Sequence, residues 1–159
     1  MEESLDRELL RAARDQRPVG VIMLDVDYFK AVNDLHGHGA GDALLRHLGR
    51  FLKDNIRGGD IASRYGGEEF TLILPDTALE QTCVRAEQLR QNFKALPQGI
   101  IDVSLGSVTL SCGVAAYPQN GQTGEQILRA ADTALYRSKH EGRDQVQAAS
   151  PAAAAGQIP

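Results

Sequence analysis

The sequence of 159 residues has no tryptophan and only two cysteines, Cys83 and Cys112. They stand far apart in apolar segments, so they form no disulfide framework and read as free thiols of a reducing compartment. No apolar stretch is long enough to cross a bilayer, and the first residues carry no secretory leader. Basic runs are absent and the net charge is −4, which argues against a nucleic-acid footprint. There is no internal repeat, no heptad pattern and no wide apolar stripe for permanent assembly. What is left is one domain, large enough to bury a core, expected in the cytoplasm and without membrane contact of its own. A membrane anchor elsewhere in a longer parent protein stays open.

What the chain does have is two acidic clusters, each beside an apolar run. Val19-Gly20-Val21-Ile22-Met23-Leu24 reads as a strand buried on both faces, and it ends at Asp25-Val26-Asp27. Side chains alternate along a strand, so Asp25 and Asp27 project to one side and repel unless a cation or proton sits with them. Magnesium suits such carboxylates together with substrate phosphates, and Lys30 adds a point positive charge one helical turn on. The second cluster, Glu68-Glu69, follows Gly66-Gly67 between Ile61–Tyr65 and Phe70–Leu74. That pattern predicts a hairpin in which glycine serves the turn by tolerating positive φ. A strand pair next to the first strand would bring Glu68 against Asp25.

The remaining elements follow from periodicity and caps. Leu5–Arg14 reads as an amphipathic helix and Tyr28–Leu35 as a short one, broken by Gly37, Gly39 and Gly41. Asp42 is placed at the cap or first turn of a helix with Leu44, Leu45, Leu48, Phe51, Leu52 and Ile56 on one face. Thr77-x-x-Glu80 resembles a capping box for a helix through Phe93, and Thr123-x-x-Gln126 opens another. Ser107–Tyr117 and Gln145–Gln147 are strand candidates. The domain is expected over residues 1–147, with an Ala/Pro-rich, disordered tail over 148–159. This order gives an α+β fold: a central, mostly antiparallel sheet flanked by helices.

Taken together, Asp25-Val26-Asp27-Tyr28-Phe29-Lys30, Asn33-Asp34, Gly37-His38, Gly41-Asp42 and Arg64-Tyr65-Gly66-Gly67-Glu68-Glu69-Phe70 resemble the GGDEF family of diguanylate cyclases. Ala131–Tyr136 with Lys139, Gly142 and Arg143 is similar to its C-terminal motif. The likeness runs from about Val19 to Arg143, in the family's order and spacing. It implies the nucleotide-cyclase variant of the ferredoxin-like fold and condensation of two GTP to cyclic di-GMP with release of two pyrophosphates. It also implies two magnesium ions per site, with manganese as an alternative, held by Asp25, Glu68 and the Val26 carbonyl. Glu69 either binds metal or helps activate the hydroxyl, and Glu68 is a second candidate proton acceptor. Lys30 stabilises charge on the transferring phosphate; Lys139, Arg143 and the backbone N–H groups of Tyr28 and Phe29 grip phosphates. Asp42 accepts from guanine and Asn33 donates to it, with His38 between them in the substrate loop.

Arg57-Gly58-Gly59-Asp60 resembles the family's Arg-x-x-Asp inhibitory site for product. The arginine that completes it is Arg85, Arg90 or missing. At its start the chain departs from the family: the Asp-x-Leu-Thr-x-Leu-x-Asn-Arg segment is absent, and Met1-Glu2-Glu3 stands where it would end. The resemblance therefore implies an isolated, N-terminally truncated catalytic domain that pairs transiently as a homodimer and takes its input from an upstream sensor domain. Two other roles are an effector that only binds cyclic di-GMP, and a degenerate GTP-binding regulator. Intact Asp25, Glu68 and Glu69 argue against both.

Overall fold

The computed structural model describes residues 1–96 and 107–152. Its elements run α1 (Glu2–Asp15), β1 (Val19–Val26), α2 (Phe29–His36), α3 (His38–Asp54), β2 (Ile61–Gly66), β3 (Glu69–Pro75), α4 (Leu79–Ala95), β4 (Leu110–Tyr117), α5 (Gly124–His140) and β5 (Val146–Ala148). The sheet order is β2-β3-β1-β4-β5, antiparallel except for the β4–β5 pair. β1 is central and buried at every position, as its unbroken apolar run requires.

Alternation on β1 divides the core between the two faces of the sheet. Ile22, Leu24 and Val26 turn to one side, under α2, α3 and α4, where Leu48, Leu52, Phe93 and Leu110 are fully buried. Val21 and Met23 turn to the other, under α1 and α5, against Leu5, Ile127 and Leu135. Each such aliphatic side chain contributes about 1.5–3 kcal/mol on leaving water. Gly113 of β4 sets how closely α5 lies: a Cβ there would stand 2.2 Å from the Ala131 carbonyl oxygen. Backbone-to-backbone packing at this point carries the last turn of α5 to the end of β1.

The elements differ from the sequence expectations at several ends. Gly39 and Gly41 do not break a helix; α3 begins at His38, directly after Gly37 (φ 87), which puts Asp42 in the second turn. The start of α4 lies one residue later than Thr77 would set it. Ala78 is the N-cap, its N–H donates to Gln81 Oε1 at 3.5 Å, and the Thr77 hydroxyl donates to the Pro75 carbonyl. At α5 the Thr123 oxygen does accept from the Gln126 N–H, as expected. β4 begins at Leu110, three residues later than expected. Ala148 closes β5 and Ala149 is buried, its N–H donating to the Val114 carbonyl at 2.7 Å, so packing extends past residue 147. Most of the expected tail, 153–159, lies outside the described residues.

Candidate active site

The site is built where β1 stops. Asp25, the penultimate residue of β1, is 2% exposed and pairs in register with Glu69 on one neighbour and Ser111 on the other. It is therefore Glu69, rather than Glu68, that lies directly across from Asp25, because the β2–β3 turn consists of Gly67 and Glu68. A bulge between Arg64 and Gly66 kinks β2 just before that turn. The Arg64 Nε donates to the Gly67 carbonyl at 2.8 Å and braces it. Neither Gly66 nor Gly67 takes a positive φ, so conformational freedom is not why glycine stands there. A Cβ on either would meet nothing within 4 Å. The glycines leave open space beside the two glutamates, both half-buried.

From the opposite side α5 delivers Lys139, whose ammonium donates to Asp25 Oδ2 and forms an ion pair with it. The other oxygen, Asp25 Oδ1, is buried and has no partner among the described residues. Burial pushes the Asp25 carboxyl up to about 6, Lys139 pulls it back, and the charges of Glu68 and Glu69 push it up again. Asp27, expected on the same side as Asp25 with a cation or a proton relieving their repulsion, has its carboxylate engaged elsewhere. It accepts from the Thr109 and Ser111 hydroxyls at 2.7 and 2.6 Å and from the Asp144 N–H at 3.0 Å. Nothing in a single sequence pairs Asp27 with residues more than eighty positions away, so this brace went unread.

The phosphate candidates gather at the N-terminus of α2. Tyr28 is its N-cap, in left-handed backbone (φ 56), and Phe29 its first residue, packed into the core. Lys30 is exposed in the first turn and forms no ion pair among the described residues. Aligned backbone N–H groups and the helix dipole favour an anion at such a terminus. Arg143 reaches the same corner, its guanidinium carbon 4.6 Å from the centre of the Tyr28 ring. Lys139, at the end of α5, meets Asp25, and Arg143, in the turn that follows, meets Tyr28 three residues further along.

The guanine candidates are a turn further along. The Asn33 side chain crosses Gly41 so closely that a Cβ there would stand 1.9 Å from Asn33 Oδ1. That oxygen is buried and has no partner among the described residues. His38 and Asp42 are exposed on the first two turns of α3. Gly41 is therefore required by its approach to Asn33, and Asp42 is the next residue along α3.

Arg57 and Asp60 are elsewhere, at the other end of β2 from the carboxylate turn. The Asp60 carboxylate accepts from the Arg57 backbone N–H at 2.9 Å, which leaves the Arg57 guanidinium exposed. A groove of about 650 Å³ runs from them along α4, lined by Thr77, Gln81, Arg85 and Gln88. Arg85 enters this groove while donating to the Asn55 carbonyl at 2.7 Å. Arg90 does not enter it; Glu87 and Asp144 hold it on another side of α4.

No three His, Cys, Asp or Glu side chains among the described residues converge tightly enough to enclose a metal ion unaided. The donors at the end of β1 nevertheless fit a hard divalent cation. They are carboxylate oxygens, one of them buried and unpartnered, with an ammonium already serving as counter-ion. Such an ion takes one or two protein carboxylates and completes its shell with phosphate oxygens and water.

This five-stranded, mostly antiparallel sheet flanked by helices is an α+β fold of the nucleotide-cyclase type. The chain is a member of the diguanylate cyclase GGDEF domain family, whose model matches residues 1–145. It is 39% identical over 147 residues to the response regulator PleD of Caulobacter vibrioides, covering 92% of this chain but only 32% of PleD. The chain thus spans about a third of that relative's length. Among solved structures it is similar to the active GGEEF domain of a diguanylate cyclase from Vibrio cholerae, with a TM-score of 0.87, 30% identity and 95% of each chain covered. It is also similar to the GGDEF domain of DgcB from Caulobacter crescentus, solved in complex with c-di-GMP. There the TM-score is 0.84 and the identity 33%, with 92% of this chain and 86% of that one covered.

Proposed function

We propose that this domain is a diguanylate cyclase, joining two GTP into cyclic di-GMP and releasing two pyrophosphates. The observation that carries the reading is the cluster at the end of β1: buried Asp25 with an oxygen that has no partner among the described residues, Glu69 across from it, Glu68 in the adjoining turn, and Lys139 paired with it from α5. Each 3′-hydroxyl attacks the α-phosphate of the other GTP, so the site must hold a triphosphate, accept a proton and offset growing negative charge.

Asp25, Glu68 and the Val26 carbonyl are the groups that would hold magnesium or manganese, two ions per site. Bound there, such ions would lower the barrier by offsetting phosphate charge and acidifying the hydroxyl. The chain's own residues do the rest. The backbone N–H groups of Tyr28 and Phe29 cradle phosphate oxygens at the start of α2. Lys30, exposed and in no ion pair among the described residues, reaches the transferring phosphate as a point charge. Lys139 and Arg143 grip the outer phosphates, which requires Lys139 to leave Asp25 when nucleotide and metal arrive. Glu69, with Glu68 as the alternative, accepts the hydroxyl proton through its half-buried carboxylate. Asp42 accepts from the guanine N1–H and 2-amino group, and the amide N–H of half-buried Asn33 donates to the O6 or N7 edge, with His38 beside them.

One domain binds one GTP, so two must face each other as a transient homodimer. Product is read at Arg57 and Asp60, with Arg85 as the second arginine. Supporting that choice, Arg85 shares the groove with Arg57, whereas Arg90 is engaged by Glu87 and Asp144. The domain, residues 1–147 with the short stretch packed after it, works in the cytoplasm under an upstream sensor that brings two copies together. Incubation with GTP and magnesium, followed by mass spectrometry, should give cyclic di-GMP, and Glu68→Gln should give none. Absence of product from folded wild-type protein at high concentration, or full turnover in the variant, overturns the assignment.

A further inference from the structure

Arg143 is held in place more firmly than an exposed arginine after a helix normally is. It and Asp144 occupy left-handed backbone in succession, with φ of 61 and 46. Two non-glycine residues in that region persist only where their surroundings over-determine them. Here the Arg143 N–H donates to the Ser138 carbonyl at 3.0 Å, and the Asp144 N–H donates to Asp27 Oδ2 at 3.0 Å. The Asp144 carboxylate is paired with Arg90 and Lys94 of α4. Asp27 in turn is fixed by two hydroxyls of the β4 region. The turn is thereby tied to the end of β1 and to α4 at once.

The backbone restraint leaves the guanidinium itself free, and Tyr28 supplies what is missing. The Tyr28 ring is 64% exposed and contributes nothing to either core cluster. Its left-handed backbone (φ 56) turns it out of the corner between β1 and α2, beneath the Arg143 guanidinium at 4.6 Å. Its exposed face is open to a cation, and the Arg143 guanidinium lies over it.

We propose that Tyr28 is a positioning residue: its ring holds the Arg143 guanidinium over the N-terminus of α2, ready for the triphosphate. The proposal rests on the cyclase reading, in which Arg143 touches phosphate. A guanidinium parked on an aromatic face keeps its edge N–H groups free, since the stack uses only the flat face. It therefore meets phosphate oxygens without first giving up hydrogen bonds. Pre-ordering of this kind raises affinity by removing a cost of binding.

The test is a double-mutant cycle on affinity, read by calorimetry with a non-hydrolysable GTP analogue and magnesium. Tyr28→Leu should weaken binding by roughly two- to fivefold, the worth of an exposed cation–π contact. Tyr28→Phe, which keeps the aromatic face, should restore the affinity. In an Arg143→Ala background Tyr28→Leu should cause no further loss. Affinity for guanosine, which has no phosphate, should not change with Tyr28→Leu; a general disturbance of the pocket would lower it. An unchanged GTP-analogue affinity in Tyr28→Leu overturns the proposal. So does an equal loss with and without Arg143, or a matching loss for guanosine. If the wild-type protein is folded and binds no GTP analogue, the cyclase reading falls and this proposal with it. If the wild type binds but the cycle shows no coupling, only the role of Tyr28 falls.

Discussion

Asp25→Asn should make the metal-free domain more stable at neutral pH while ending its chemistry. Asp25 is 2% exposed, and its carboxyl is pushed from 3.8 up to about 6, chiefly by burial. A folded-state value above the unfolded one means that the folded form binds the proton more tightly. Ionisation of Asp25 then opposes folding: the cost is absent below the unfolded value, grows as pH rises between the two, and is complete above the folded one. A shift of roughly two units corresponds to about 3 kcal/mol at pH 7.5. Asparagine carries no charge and escapes that cost. The pull of Lys139 on the charged carboxylate is already contained in that shift, and the asparagine oxygen accepts from Lys139 as a neutral acid would. The net expectation is a gain of up to about 3 kcal/mol, or several degrees in Tm for a domain of this size. The assay is urea unfolding of both proteins in EDTA at pH 7.5 and at pH 4.5. At the lower pH Asp25 is largely protonated in the folded state, so the gap between the two proteins should narrow. Titration of other groups cancels in the comparison. A variant less stable than wild type at pH 7.5, or a gap that is the same at both values, refutes the reasoning.

Three further outcomes are expected. Asp42→Ala should reduce the preference for GTP over ATP by about tenfold or more, because it leaves guanine donors unpaired; competition binding of the two nucleotides measures it, and an unaltered ratio removes Asp42 from the base pocket. Arg57→Ala should weaken cyclic di-GMP binding by about tenfold or more and lift the slowing of late progress curves, since a bidentate charged contact is lost; unchanged product affinity by calorimetry would exclude Arg57 from the inhibitory site. Activity per molecule should rise with protein concentration and rise further with a leucine zipper fused to the N-terminus, because the competent species is bimolecular; a flat profile from a species shown to be monomeric by light scattering would contradict the two-domain mechanism.

Much of the fold was legible because it depends on local signals. The unbroken apolar run of Val19–Leu24 marked the central strand, and Thr123 with Gln126 marked the start of α5. The errors came where two local rules competed. Three glycines in Gly37-His38-Gly39-Ala40-Gly41 looked like a broken helix, yet only Gly37 needs positive φ. Gly41 is glycine for a tertiary reason, the close passage of Asn33, which no pattern within the segment announces. Thr77 resembled an N-cap, but its hydroxyl turned back to the Pro75 carbonyl and the helix began without a side-chain oxygen at its cap.

The site was legible in its residues and illegible in its pairings. Asp25, Glu68, Glu69, Lys139 and Arg143 are visible as chemistry-bearing types at suggestive spacings, but sequence spacing carries no register. A shift of one position in the β1–β3 pairing exchanges which glutamate faces Asp25. The same limit hid the division of labour within Asp25-Val26-Asp27. Both aspartates are nearly buried, so each needs a partner or must bear the cost of its charge. Asp27 found three donors in β4 and the turn after α5 and became part of the frame. Asp25 found one ammonium and kept an oxygen without a partner. The incomplete satisfaction that costs stability leaves Asp25 with an oxygen to offer, and of two identical side chains two residues apart it is this less satisfied one that we propose as the metal ligand.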